Sequence, residues 1–369
     1  MALPPPVQVL IAPLDWGLGH ATRCIPVIKA FTDQGATVIV AAGGAQKALL
    51  ETEFPDLEFL EIGGYGIRYS ASPRGLIWGL IIRIPAILKN IRRENDWLKT
   101  LCHRRKLDLI ISDNRYGFHH EKIPGIFITH QLYIQSGWGW VVNRVLLTLN
   151  RYFIERFSEC WIPDFQHPFS LAGILSHPPR FPAIPVKYMG LLSRFNREER
   201  KGDTIPLLVM ISGPEPQRTA FENLLLSALE TFPQRTLFLR GLPGDHPEIK
   251  SSNKQVEIRN HLKSEDLQQL LNASEKVICR AGYSSVMDLA RLRKKVILIP
   301  TPGQPEQEYL GKYLSEKKWA LVVRQTDLNL KRHLQMLEEG DFEFPEMPEP
   351  LFSENLIRTF LDGIIGERP

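Results

Sequence analysis

The feature that most constrains this chain is a repeated local pattern: a short, nearly continuous apolar run, a turn, a helix-period segment, then another apolar run. Val7-Gln-Val-Leu-Ile-Ala-Pro13 reads as a strand covered on both faces, followed by a glycine-containing turn. His20 to Gln34 carries Ile25, Ile28 and Phe31 at helical spacing and stops at Gly35. Ala36-Thr-Val-Ile-Val-Ala-Ala42 then supplies the next strand, completing one βαβ unit. Similar runs at 57–62, 107–112 and 125–129 extend the series, and a second series starts at Pro206 and continues through 235–239, 277–279, 296–300 and 320–323. The expected fold is therefore α/β, two doubly wound Rossmann-like domains facing a cleft. The expected boundaries are 1–192 for an N-terminal domain and 193–205 for a polar linker. A C-terminal domain at 206–345 and a helical segment at 346–369 packing back on the domains complete the division.

Composition narrows the classes. A chain of 369 residues suits about two domains. Forty-five Lys plus Arg against 41 Asp plus Glu leave a formal charge of only +4, which does not suit a general nucleic-acid binder. Cys24, Cys102, Cys160 and Cys279 lie at least 58 positions apart, so neither a metal knuckle nor a disulfide framework is expected, and reduced thiols in a cytoplasmic protein are. The start, Met1-Ala-Leu-Pro-Pro-Pro-Val7, lacks the basic and apolar blocks of a signal peptide, and no span approaches the roughly 20 apolar residues of a membrane helix. His119-His120-Glu121 has no third distant ligand, so no metal is expected.

In open α/β sheets ligands bind beyond the carboxyl ends of the strands, which directs attention to four turns. Asp15-Trp-Gly-Leu-Gly-His20 offers Gly17 and Gly19 for close backbone approach and His20 at a helix start, where a neutral imidazole is a candidate general base. A glycine turn with a capping His would read the same way. Arg280-Ala-Gly-Tyr-Ser-Ser-Val-Met-Asp288 places Gly282, Ser284 and Ser285 at a helix N-terminus suited to a diphosphate, with Asp288 further along for ribose hydroxyls. Its plainer account is a serine-capped helix with a surface Asp. Glu306, Gln307 and Glu308 open another helix, where they suit either sugar hydroxyls or the helix dipole. Ser212 and Gly213 have a supporting role in the remaining turn.

Taken in order, these residues resemble the GT-B glycosyltransferases and, among them, the MurG type, which transfers a sugar from a UDP-sugar to a lipid-linked acceptor. Gly17-Leu-Gly-His20 falls on that family's glycine loop with its proposed catalytic His. Arg280 to Asp288 falls on its nucleotide-binding helix, Glu306-Gln-Glu308 on its donor-sugar motif, and Asn260-His-Leu262 near its base-binding loop. The resemblance implies an inverting, metal-independent transferase needing no cofactor beyond its nucleotide-sugar substrate. His20 would be the base, the donor would lie on Ser212, Gly213, Leu262, Arg280, Gly282, Ser284, Ser285, Asp288 and 306–308, and Asp113, Arg115 and His130 would line the acceptor site. Asp15-Trp16, Pro214, Pro216 and Glu308 depart from the MurG pattern. Gly17-Leu-Gly-His-Ala-Thr-Arg23 is also similar to the GxGHxxR turn of the UDP-sugar hydrolase of pseudaminic acid synthesis. Hydrolysis, or non-catalytic sensing of a sugar nucleotide, therefore stays open as an alternative.

Charge is unevenly distributed. Between Arg68 and Lys106 there are ten Lys plus Arg and two Asp plus Glu, interleaved with Leu76-Ile-Trp-Gly-Leu-Ile-Ile82, Ile84, Ile87 and Leu88. A segment of this kind at 74–93 suits peripheral contact with anionic lipid on the inner face of the plasma membrane, as does Trp138 through Arg156. A buried helix with a basic outer face accounts for much of the same pattern.

Overall fold

The computed structural model describes residues 6–64, 73–199, 203–244 and 246–366, and for 73–84 it describes the helical backbone alone. The chain divides into two compact units: 1–66 with 80–192 and 348–369, and 67–79 with 193–347. In chain order the elements up to residue 192 are β1 (Gln8–Pro13), α1 (Leu18–Asp33), β2 (Thr37–Ala42), α2 (Gly44–Glu53), β3 (Glu58–Glu61), α3 (Pro73–Arg104), β4 (Leu109–Asp113), β5 (Gly125–Ile128), α4 (Trp140–Ile154), β6 (Glu159–Ile162) and β7 (Val186–Tyr188). Their strands form one parallel sheet in the order β3-β2-β1-β4-β5-β6-β7. The order reverses between β1 and β4, so the loops after these two strands flank the position where such sheets hold ligands.

The second series comprises β8 (Ile205–Met210), α5 (Gln217–Leu229), β9 (Thr236–Leu239), β10 (Val256–Arg259), α6 (Ser264–Ala273), β11 (Ser274–Cys279), α7 (Tyr283–Arg291), β12 (Lys295–Leu298), α8 (Pro305–Glu316), β13 (Leu321–Val322) and α9 (Leu330–Glu339). Its parallel sheet runs β10-β9-β8-β11-β12-β13, with the reversal between β8 and β11. The last helix, α10 (Glu354–Gly366), belongs to the first unit, where Phe360 meets buried Trp161 edge to face.

The apolar runs become strands because both faces are covered. Leu10, Ile39 and Ile110 pack with Leu98 of α3 on one side of the first sheet, and Val209, Ile278 and Ile297 pack with Phe221 and Leu225 of α5 in the second. The tract at 193–205 is less free than its polarity suggests: Phe195 is buried, and Asn196 N–H donates to Gln268. All four cysteines are free thiols. Among the described residues no helix is long and apolar enough to cross a membrane.

Asp164, just beyond β6, organises the loop that follows. Its buried carboxylate accepts from the N–H groups of Phe165, Leu171 and Ala172 and from the hydroxyls of Ser170 and Ser176. Asp164→Ala would leave several of these donors buried and unpaired, and should lower stability by about 3 kcal/mol or more, measured by urea unfolding. A change under about 1 kcal/mol would show that the loop satisfies its donors without this carboxylate.

Candidate active site

The first loop is shaped by Gly17, which caps α1 at φ +88°, a left-handed value favouring glycine. The buried Gln46 side chain donates to Gly17 O and holds the turn against α2. Gly19 lies within α1, and His20 follows in its first turn. One turn later on the same face is Arg23, so the two side chains converge.

Asp113, at the end of β4, meets both. Its carboxylate is fully buried, and Oδ1 receives Arg23 Nε at 2.9 Å together with Nη2. Oδ2 lies 2.8 Å from His20 Nδ1. An ionised carboxylate only accepts, so Nδ1 carries the imidazole proton and Nε2 is left as the basic nitrogen. Arg23 Nη2 also lies 2.8 Å from Nδ1, but both atoms are donors, so its protons serve Asp113 instead. Arg23 Nη1 lies 3.2 Å from His130 Nδ1, which must therefore accept.

Electrostatics keep the imidazole neutral. Burial, and then the Arg23 cation, pull the His20 pKa below its ordinary 6.5 and outweigh the opposing pull of Asp113. Burial alone would raise the Asp113 pKa, yet Arg23 and His20 together hold it below the usual carboxylate value. Cys24, whose thiol burial drives well above its normal range, stays protonated beside them. The cluster thus offers a neutral, oriented base, with the imidazole side chain 15% exposed.

Three residues expected to line the acceptor site do not form an open surface. Asp113 and Arg115 are 0% exposed and His130 is 3% exposed. Arg115 is spent on the Pro13 carbonyl at 2.7 Å and on buried Glu94 at 2.5 Å, which ties the ends of β1 and β4 to α3. Burial of these polar groups is possible because each finds charge or hydrogen-bond partners within the loops. Arg23 was not singled out as a site residue by the sequence, although its spacing three after His20 was the available signal.

In the second unit Gly282 caps α7, and Ser284 and Ser285, both half-buried, lie in its first turn. The backbone N–H groups of that turn are the donors a diphosphate requires. Asp288 is half-buried rather than a surface residue. Burial raises its pKa to about 6, and its Oδ1 accepts from Ser193 Oγ at 2.6 Å, a partner the sequence did not reveal. Ser212 and Gly213 are exposed, with Gly213 at φ +109°, and Leu262 is half-buried in the turn before α6.

Other expected donor contacts take different roles. Arg280 is 1% exposed and faces backbone carbonyls. Gln307 is buried, its Oε1 accepting from Thr301 N–H at 2.9 Å, while exposed Glu308 accepts from Gly303 N–H at 2.9 Å. Gln307 and Glu308 thereby brace the loop after β12, and Glu306, beside them, is half-buried in the first turn of α8. A hollow of about 580 Å³ beside β7, lined by Phe165, His167 and Tyr188 among others, shares no residue with the His20 cluster.

Comparison with known proteins agrees with this layout. Residues 245–354 match the glycosyltransferase family 28 C-terminal domain. An uncharacterized glycosyltransferase of Methanosarcina acetivorans is 25% identical over 336 residues, covering 86% of each chain. The UDP-N-acetylglucosamine--N-acetylmuramyl-(pentapeptide) pyrophosphoryl-undecaprenol N-acetylglucosamine transferase of Histophilus somni is 27% identical over 243 residues, covering 60% of this chain and 65% of that protein. The crystal structure of the glycosyltransferase SnogD from Streptomyces nogalater aligns with a TM-score of 0.63 at 14% identity, covering 96% of this chain and 100% of its own.

The twin parallel sheets are those of a GT-B glycosyltransferase. The protein is a glycosyltransferase similar to the MurG type, an enzyme that transfers a sugar from a nucleotide sugar.

The Arg23–His20 contact gives a direct test. Replacing Arg23 by Gln removes the cation that depresses the imidazole pKa and frees more of the Asp113 charge to act on it, so the His20 titration followed by NMR should move upward from a wild-type value below 6.5. An unchanged or lower value in the variant would contradict the assigned electrostatics.

Proposed function

We propose that the enzyme uses a UDP-sugar and transfers its sugar, with inversion, to a hydroxyl of a lipid-linked acceptor. The observation that carries this reading is the His20–Asp113–Arg23 cluster, which leaves Nε2 unprotonated in a neutral imidazole. His20 takes the acceptor's proton as its oxygen bonds to the anomeric carbon, while the bond from that carbon to the diphosphate breaks and UDP departs. Asp113 stabilises the imidazolium so formed. The N–H groups at the start of α7 receive the diphosphate charge, with Ser284 and Ser285 beside it, Asp288 on the ribose and Glu306 toward the sugar. This arrangement assigns no role to a metal, and the rate should survive a chelator. UDP as the leaving group is supported by the donor in the Histophilus somni transferase's name.

An unusual helix surface supports the lipid-linked acceptor over hydrolysis. On α4, Asn143, Leu147, Asn150 and Ile154 are buried, yet the opposite side is also apolar: Val141, Val145, Leu149 and Tyr152 follow one another at helical spacing and are exposed. Trp140, at the head of the helix, is 72% exposed. Exposed Arg144 and Arg156 adjoin this face, and Arg156 lies 4.7 Å above the Tyr152 ring. An apolar stripe edged by arginines suits the interface of an anionic bilayer. On α3, Leu88, Lys89, Arg92 and Arg93 of the expected contact segment 74–93 are exposed in the same combination, whereas its side chains at 74–84 lie outside the described residues. The reading therefore places the enzyme in the cytoplasm, bound peripherally to the inner face of the plasma membrane.

His20→Ala should lower kcat by roughly 10²- to 10⁴-fold while UDP still binds. Loss of UDP binding, or an unaltered rate, would assign His20 another role. Free sugar released at full rate without acceptor would mark a hydrolase, and nucleotide-sugar binding without turnover a sensor. For the membrane, Val145→Asp with Leu149→Asp should abolish sedimentation with vesicles containing phosphatidylglycerol at low salt. Equal sedimentation of wild type and variant would remove α4 from the account.

A further inference from the structure

Gln46, in the first turn of α2, is 4% exposed, and its amide nitrogen serves the glycine turn twice. Nε2 donates to Leu14 O, just beyond β1, and to Gly17 O at 2.8 Å. Both neighbours are carbonyls, which only accept, so the NH2 end of the amide faces them. One side chain from a neighbouring helix thereby spans the turn that leads from β1 into α1. Its Oε1 is buried with no hydrogen-bond partner among the described residues. Such an orphaned acceptor costs free energy, so stability alone does not account for a glutamine at this position.

The two ends of the turn are secured differently. At the β1 end, Leu14 N–H donates to Asp113 O at 3.0 Å and Pro13 O accepts from Arg115, which ties the backbone to β4. At the α1 end, Gly17 caps the helix without a capping side chain, and an added Cβ there would meet no atom within 4 Å. The outer side of Gly17 is open, and Gln46 holds its carbonyl from the α2 side. A trans peptide sets C=O and N–H on opposite sides, so this bond turns the Leu18 N–H away from α2 and fixes the direction in which α1 departs. His20 lies two residues further on. A glycine at φ +88° permits other rotations of the peptide, and these would swing the first turn and draw His20 Nδ1 off its 2.8 Å contact with Asp113 Oδ2.

We propose that Gln46 is a positioning residue for the base. By holding the Leu14 and Gly17 carbonyls it fixes the start of α1, and with it the His20 tautomer that leaves Nε2 bare. Asp113 supplies the acceptor for the Nδ1 proton, and Gln46 brings the imidazole to that acceptor without touching it or the substrate. The proposal rests on the reading of His20 as the general base.

The test is 15N NMR of the His20 ring in the full-length protein, at a pH above its titration, for wild type, Gln46→Met and Gln46→Asn, with His20→Ala assigning the signals. In water a neutral histidine carries its proton mostly on Nε2, so an imidazole released from Asp113 reverts to that form. Wild type should show the Nδ1–H tautomer. In Gln46→Met, which keeps the length of the side chain and loses its donors, the Nε2 resonance should move from the position of a bare ring nitrogen toward that of an N–H nitrogen. Gln46→Asn, one methylene shorter, keeps an amide that reaches at most one carbonyl, and should shift the same way by less. It carries the test if the Met variant fails to fold. A folded variant with the wild-type tautomer overturns the proposal and leaves the base reading standing, whereas a wild type with its proton on Nε2 overturns both.

Discussion

Asp113 is the charge on which the first unit's chemistry depends. A carboxylate at the end of a central strand, wholly removed from water, is tolerated only with strong compensation. Arg23 provides that compensation, and the geometry that neutralises the carboxylate also turns its second oxygen toward His20. One buried group therefore links the ends of β4 and α1, fixes the imidazole tautomer and leaves Nε2 as a base. The Arg23 cation has a further effect, since it disfavours a second positive charge on the neighbouring imidazole.

The second unit solves the complementary problem. Its strand ends collect helix N-termini and a buried arginine, while nearby glutamates are committed to Arg218 and Arg240. The first unit thus holds a neutral, oriented imidazole, and the second collects backbone N–H donors at the start of α7.

Much of this fold was legible because parallel strands covered on both faces write themselves as continuous apolar runs. The runs beginning at Val7, Ala36 and Pro206 became β1, β2 and β8 with ends shifted by only a residue or so. Strands β6, β7 and β10 lacked such a signature. They have four, three and four residues, and Glu159, Lys187, Glu257 and Arg259 interrupt their hydrophobicity. In the site, His20 was legible from its glycine turn. Its pairing with Asp113 spans 93 positions, so no local spacing could reveal it. Arg280 and Gln307 looked like ligand contacts because polar residues in loops after strands usually face outward. Here loop carbonyls and the Thr301 N–H capture them internally.

The central claim is a sugar donor carried on UDP, with its diphosphate at the second unit. Thermal unfolding in the presence of UDP, GDP, CMP or dTDP tests it most directly. A ligand present at 100 times its dissociation constant adds about 2.7 kcal/mol of stability, enough for a clear rise in melting temperature. The account predicts such a rise with UDP and a smaller one, or none, with the other three nucleotides. A melting temperature unmoved by UDP, or moved more by another nucleotide, would contradict it.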